Sequence, residues 1–385
     1  MSAQPAMPPP ALPIPIFPDM SRKVLFIWYK NPEGILEGGG QVSTRNFRAI
    51  CSVVGEENVT SYYIHDSRRK TGPIGRLLKG LWFPFRYFYG LTPSRVRKMV
   101  EMAREFDVVF IDRSVFGILA RELKRKGYAG RVITFFHNVE ETYFDARLSR
   151  FLPLRGVVLR CVRANDGMAC RYSDAIATLT SRDSDVLHSE FGRNADAVVP
   201  VSLPDRLQTP VPEPIENTSV PPLCLFLGAY FRPNNEAVRW FAKEVLPHVD
   251  IRMRVVGRDM DRMRDETPEI FGDVEVFSSV PDLLPYLMEA DIVILPVFAG
   301  SGMKVKTCEA LMYGRNILGT DEAFAGYSLE YGEVGGLCNT AADFIKAIRS
   351  FCDSPRPRFN EYSRRRFLDS YSNEAQIPLF AKLIL

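Results

Sequence analysis

Short apolar runs alternate with amphipathic segments twice along this chain, and a proline-dense stretch separates the two series. The first series holds Lys23–Tyr29 (KVLFIWY), Asp107–Asp112 (DVVFID), Arg131–Phe136 (RVITFF), Asp174–Leu179 (DAIATL) and Ala195–Val201. The second holds Leu223–Gly228 (LCLFLG), Ile251–Gly257 (IRMRVVG), Val274–Phe277, Asp291–Pro296 (DIVILP) and Asn316–Gly319. Runs this short and this apolar suit strands buried on both faces of a parallel sheet. Helical patterns fall between them: from Ser43, then over 116–126, 182–191, 233–246, 282–289, 304–313 and 341–351. Between the series, Pro204–Pro222 carries six prolines in nineteen residues and reads as a linker. The expectation is an α/β chain with two doubly wound, Rossmann-like domains facing across a cleft, since ligands of such sheets sit at the carboxyl ends of the strands.

Composition removes several classes. With 385 residues, 46% hydrophobic and 25% charged, the chain is neither disordered nor fibrous. The net charge of +3 hides an asymmetry. Residues 1–200 carry 29 Lys/Arg against 20 Asp/Glu, or +9; residues 201–385 carry 20 against 26, or −6. The seven cysteines show neither zinc-site spacing nor a disulfide framework, so reduced thiols in a cytosol are expected. Residues 1–20 are proline-rich with no basic cluster ahead of an apolar run, which reads as a disordered tail and not as a secretory signal. No stretch is apolar enough to span a membrane. A cytoplasmic protein is expected.

The densest chemical signal is Phe298–Gly314 (FAGSGMKVKTCEALMYG), directly after the strand DIVILP. Gly300, Ser301 and Gly302 let a backbone approach a ligand closely. The helix that follows presents free N–H groups to an anion. Lys304 and Lys306 stand at that entrance as point charges for phosphate. Glu309 lies one turn further in, where a carboxylate accepts both hydroxyls of a ribose.

The run Gly300-Ser301-Gly302-Met303-Lys304-Val305-Lys306-Thr307-Cys308-Glu309-Ala310 resembles the nucleotide-sugar signature of family-four glycosyltransferases of the GT-B fold. Leu227-Gly228 followed by Arg232–Ala237 and Trp240-Phe241 resembles the opening of that family's donor domain. Val255-Val256-Gly257-Arg258 resembles its base-side turn, and Val280-Pro281-Asp282-Leu283 the loop that reads the base. Asp321–Tyr327 resembles its closing segment. The resemblance implies a retaining, metal-independent transferase with no cofactor and a nucleoside diphosphate sugar as co-substrate. It implies an acceptor domain at 21–203, a donor domain at 223–358, and a terminal helix over 359–385 crossing back to the first domain. Two departures stand out. The family's usual first glutamate falls on Ser301, and its usual Arg and Lys after the first donor-domain strand are missing. Diphosphate neutralisation is left to Lys304, Lys306, the helix terminus and Arg232.

In the first half, Gly38, Gly39 and Gly40 lie between a strand and a helix, matching the family's acceptor-side glycine loop near the diphosphate. His137, at the end of RVITFF, matches a histidine that contacts the donor sugar; a strand-end histidine in general is a structural hydrogen-bonder. Glu140 is either an acceptor-facing carboxylate or a helix-start one. Thr180 reads as an N-cap. Asp259-Met260-Asp261 reads as a helix cap, not as a metal site. No other cluster has metal-ligand spacing, and no Gly-x-Gly-x-x-Gly opens a βαβ unit, which disfavours a nicotinamide enzyme.

Ser67–Val100 holds nine Lys/Arg and no acid, with Trp82, Phe83, Phe85, Tyr87, Phe88 and Tyr89. Basic residues around aromatic rings suit peripheral contact with the inner face of a membrane; nucleic acid is not an expected partner. The function expected is transfer of a sugar to a saccharide or lipid-linked saccharide, in cell-surface polysaccharide or glycolipid assembly. A non-catalytic nucleotide-sugar-binding subunit and a sugar-nucleotide epimerase of the same fold stay open.

Overall fold

The computed structural model describes residues 21–31, 38–65, 81–88, 90–148, 154–207, 221–272, 274–300, 302–354 and 356–385. The tail at 1–20, most of the linker, Ser301, Tyr89 and the first part of the basic excursion lie outside the described residues.

Two six-stranded sheets form the frame. The first contains β1 (Val24–Lys30), β2 (Val59–His65), β3 (Val108–Ile111), β4 (Arg131–Phe136), β5 (Ala175–Thr178) and β6 (Ala197–Val198), in the order β2-β1-β3-β4-β5-β6. The second contains β7 (Leu223–Leu227), β8 (Arg252–Gly257), β9 (Val274–Ser278), β10 (Ile292–Leu295), β11 (Asn316–Gly319) and β12 (Gly335–Leu337), in the order β12-β11-β10-β7-β8-β9. Every pairing is parallel. This is the doubly wound α/β architecture the alternating runs imply. Central strands such as VVFI and IVIL are buried throughout, so no polar side alternates along them.

Two strands escape the sequence reading, and both lie on sheet edges. β2 (VTSYYIH) buries only Ile64 and has a polar Ser61, whose hydroxyl accepts a hydrogen bond from Trp28 Nε1 at 3.0 Å. β12 is short and carries two glycines. The first helix also begins earlier than expected. It spans Gly38–Val54, so the three glycines are its opening turn and not a loop ahead of a start at Ser43. Helices over Pro93–Ala103 and Arg155–Tyr172 were not foreseen. Thr180 does cap its helix, accepting from Asp183 N at 3.0 Å. Asp259 does not cap: its side chain makes no cap bond, and Asp261 instead accepts from Ser278 Oγ.

The chain passes between the sheets at two places that touch each other. Leu203 bridges to Ser372: Leu203 N donates to Tyr371 O at 3.1 Å, and Asn373 N donates to Leu203 O at 3.0 Å. The last helix, Asn373–Ile384, then packs on the helix Gly38–Val54 of the first domain. Its Phe380 is fully buried and meets Phe110 of β3 at 6.3 Å between ring centroids. The Arg45 guanidinium lies over the same ring. One apolar cluster therefore runs from β1 through the terminal helix to Leu311 and Met312 of the second domain.

Phe380→Ala is expected to lower stability by about 3–5 kcal/mol in urea denaturation. An unchanged midpoint would show that the terminal helix is not part of the fold's cooperative core.

Candidate active site

In each sheet the strand order reverses beside the first strand, and at such a point the loops leaving the carboxyl ends diverge and leave a crevice. In the second sheet the reversal lies between β7 and β10. Gly228 follows β7, and the Phe298–Lys304 segment follows β10 before the helix Val305–Met312 begins. Lys306, in that helix's first turn, turns back over the end of β7. Its Nζ donates to Asn234 Oδ1 at 2.7 Å and sits 4.5 Å from the centroid of the Phe226 ring. A Cβ on Gly228 would lie 3.0 Å from that Nζ, so the absent side chain makes the space the cation occupies. A Cβ on Gly257 would lie 1.9 Å from Gly228 O, so the ends of β7 and β8 meet backbone to backbone. Arg258 follows, exposed, on the same edge. Val280 and Leu283 lie just beyond β9, half-buried against the main apolar cluster.

Burial dominates the electrostatics here. It pulls the Lys306 ammonium down to about 7, against the pull of Glu309. It pushes the Glu309 carboxyl up to about 7, against Arg206 and Lys306. Among the described residues no side-chain hydrogen bond satisfies Glu309, and a carboxylate and an ammonium poised near neutrality share one crevice. Lys304 is different. Its Nζ donates to Gly302 O at 2.9 Å and to Glu322 Oε1 at 2.6 Å, although burial still lowers its pKa. Glu322 also takes Arg182 of the first domain at 3.2 Å. The phosphate charge expected of Lys304 is thus committed to an ion pair, whereas the Lys306 ammonium has no carboxylate at bonding distance among the described residues. Arg232 is on the exposed side of its helix, paired with Glu236 at 2.7 Å.

In the first sheet the reversal lies between β1 and β3. His137 follows β4, buried, with Nε2 3.3 Å from Asp112 Oδ1. The same Oδ1 accepts from Asn46 Nδ2 at 2.7 Å, which ties both to the helix Gly38–Val54. Because the carboxylate only accepts, Nε2 carries the proton and Nδ1 is left as a lone-pair acceptor, with no hydrogen-bond partner among the described residues. Burial and the nearby Arg113 hold the imidazole below its ordinary pKa, with Asp112 opposing. His137 is therefore neutral at physiological pH. Arg113 follows Asp112; a Cβ on Gly39 would lie 2.7 Å from its guanidinium, and Glu140 Oε1 stands 3.7 Å away. Glu140 occupies the start of the helix Glu140–Arg147. Its side chain is 1% exposed, and burial pushes its pKa to about 7. The backbone N–H groups of Glu140 and Glu141 are held by Asp166 Oδ2 at 3.1 and 3.4 Å.

The two crevices meet. Gly302 is left-handed, φ +63°, and a Cβ there would lie 3.0 Å from Asn138 Oδ1 and 3.7 Å from His137 O. Met303 Sδ accepts from Val201 N at 3.2 Å. Gly326, φ +85°, faces Thr180 across the same seam. So the structure sets Gly302 against His137 and Asn138, Met303 against Val201, and Lys304 against Glu322, while Lys306 and Glu309 stay within the second domain's crevice beside Asn234 and Phe226. Gly257 stands beside Gly228 with Arg258 after it, Val280 and Leu283 lie one strand further along the sheet beyond β9, and Gly39 and Gly40 are on the first domain's side. Ser301 lies outside the described residues. Contributors that were given no role from sequence include Asn234, Arg206, Arg113, Asp112, Asn46 and Glu322. Asn234 sits inside the Arg232–Ala237 run, so its signal was present; the others reach the site across long sequence separations. Among the described residues no group of three or more His, Cys, Asp or Glu is placed to hold a metal ion.

Two facing doubly wound domains with the crevice between them define the GT-B fold, and solved structures agree over nearly the whole chain. Sucrose-phosphate synthase from Thermosynechococcus elongatus is similar at a TM-score of 0.69 and 14% identity, covering 94% of this chain and 98% of that one. HepE from Anabaena, in complex with UDP-glucose, is similar at 0.63 and 12% identity over 94% and 98%. A trehalose-phosphate synthase from Burkholderia xenovorans, in complex with glucose-6-phosphate, is similar at 0.59 and 14% over 94% and 98%. Residues 221–354 match the family model of group 1 glycosyl transferases, over the segment in which the resemblance was most specific. No curated protein sequence matches the chain.

The imidazole of His137 is expected to stay neutral in NMR titration from pH 7 to 6, and Arg113→Ala is expected to raise its pKa, since a cation that opposes protonation is removed. A midpoint near 6.5 that Arg113→Ala does not move would overturn this electrostatic account.

Proposed function

We propose that this protein is a glycosyltransferase that moves a sugar from a nucleoside diphosphate sugar to a hydroxyl of a saccharide or lipid-linked saccharide, with retention of anomeric configuration, without a metal, in polysaccharide or glycolipid assembly. The observation that carries the reading is the Lys306–Glu309 crevice at the second sheet's reversal point, closed by Gly302 against His137-Asn138. The matched family and the nucleotide-sugar complex of HepE support the same substrate class.

In this reading Glu309 accepts the ribose hydroxyls as a carboxylate; a charge-assisted hydrogen bond of that kind contributes about 1.5–3 kcal/mol. Gly257, Arg258, Val280 and Leu283 border the base, which backbone groups read. Lys306 and the amides opening the helix Val305–Met312 receive the diphosphate. That is where negative charge grows as the sugar–phosphate bond breaks, so a fixed cation there lowers the barrier. The acceptor oxygen attacks the anomeric carbon from the face the diphosphate leaves, and its proton passes to the departing phosphate oxygen. No protein nucleophile is required. His137, neutral, orients the sugar through the lone pair on Nδ1. Gly38–Gly40 and Arg113 hold the acceptor side. Closure of Gly302 on Asn138 keeps water from the reacting carbon.

Calorimetry of UDP, GDP, ADP and CMP, with and without magnesium, tests the donor site. UDP is expected to bind metal-free, with Glu309→Ala weakening it about 10- to 100-fold. Affinity is expected to peak near pH 7. Below about 7 Glu309 gains a proton and loses its acceptor role; above about 7 Lys306 loses its charge before the diphosphate can stabilise it. Lys306→Met should remove the alkaline limb. A folded protein that binds none of the four overturns the reading. Conversion of the donor without an acceptor would point to an epimerase, and biological activity unharmed by Lys306→Met to a non-catalytic subunit.

A further inference from the structure

We propose that the outer face of the first domain, formed by Leu81, Trp82 and Phe85 beside Arg86, Arg160 and Arg171, docks on an anionic lipid bilayer. The apolar part is a tight turn that ought to be buried and is not. Leu81 is 60% exposed, Trp82 37% and Phe85 65%, while Phe88 a few residues on is buried. The Trp82 and Phe85 rings stand 6.2 Å apart, so they form one patch. The turn is held rigidly. Arg86 closes it in the left-handed region, φ +70°, and its carbonyl accepts from Asn165 Nδ2 at 2.9 Å. A non-glycine residue kept in that conformation is strained and persists only where neighbours over-determine it.

The charge lies beside the patch. A groove of about 670 Å³ runs between Phe83, Pro84 and Arg86 and the helix Arg155–Tyr172, with Arg160 in its wall. A second of about 250 Å³ continues it past Arg86, Ala164 and Gly167 to Arg171. Positions 160, 164, 167 and 171 share one helix face, and its two arginines are about 16 Å apart along the axis. Arg163 and Arg121 on the same side are neutralised, by Glu141 and Glu190 and by Glu122. Among the described residues Arg86, Arg160 and Arg171 have no carboxylate partner, and all three are exposed. Exposed rings at headgroup level beside unpaired guanidiniums complement an anionic bilayer: the rings enter the interface and the cations meet phosphate.

The surface also stands in the right place for a membrane-bound substrate. The helix that carries Arg160 and Arg171 outward carries Asp166 inward, where it holds the amides of Glu140 and Glu141 beside His137. One helix diameter, about 10 Å, separates the docking face from the acceptor side of the cleft. Among the described residues no helix is long and apolar enough to cross a membrane, so the contact is a peripheral one.

The test is co-sedimentation of the full chain with vesicles of phosphatidylcholine and phosphatidylglycerol in equal parts, and with vesicles of phosphatidylcholine alone. The expected result is binding to the mixed vesicles only, released by high salt. Arg86→Gln/Arg160→Gln/Arg171→Gln should weaken it about 100-fold, and Trp82→Ser/Phe85→Ser about as much. Urea midpoints and UDP calorimetry on the same preparations separate a failed docking face from a failed fold or donor site; salt release of the unaltered protein is a readout that needs no variant. Absence of binding to the mixed vesicles, equal binding to both kinds, or binding that both variants retain would overturn the proposal. So would loss, in the same variants, of binding to a single-stranded oligonucleotide by a chain that ignores vesicles.

Discussion

A strand can be followed by a parallel neighbour only after the chain has crossed back over the sheet. Everything functional in this molecule descends from that constraint. Each crossover returns the chain to the same edge, so the loops leaving the strands and the amino ends of the following helices collect there. With two such sheets set edge to edge, those loops face one another. The residues of the crevice (Gly228, Asn234, Gly302, Lys306 and Glu309 on one side, Asp112, Arg113 and His137 on the other) come from the segments that leave the strands and from the first two turns of the helices that follow. None comes from a strand.

The low polarity of that edge then sets the charges. Lys306 has an amide oxygen and an aromatic ring for company, not a carboxylate at bonding distance. An ammonium so placed is costly to keep charged until an anion arrives. Lys304, two residues earlier in the chain, has Glu322 as a direct partner, and through it Arg182 of the other domain. Two lysines that look equivalent in sequence therefore differ in kind. One is held in reserve for a ligand, and one is already engaged in joining the two halves.

That difference marks the limit of what the sequence discloses. The central strands were legible because burial on both faces removes polar residues from them. The glycine-rich junction was legible because small residues between a strand and a helix have few other uses. Edge strands were not, since one side of β2 and the glycines of β12 carry no apolar run. Nor was the partner of Lys304, because Glu322 is eighteen residues away and becomes a neighbour only through the fold. The Asn46–Asp112–His137 chain spans three elements and has no local signature at all. The early start of the first helix was hidden for another reason: three glycines are poor helix formers, and packing against the terminal helix overrides their preference.

The two passages of the chain between the sheets are hydrogen-bonded to one another at Leu203 and Ser372. A single covalent connection would leave two bodies free to swivel in every direction about one point. Two connections fastened side by side define a line. Rotation about that line is the motion such a pairing would resist least. Any swing about it would bring Gly302 back to Asn138 in the same register, without a search.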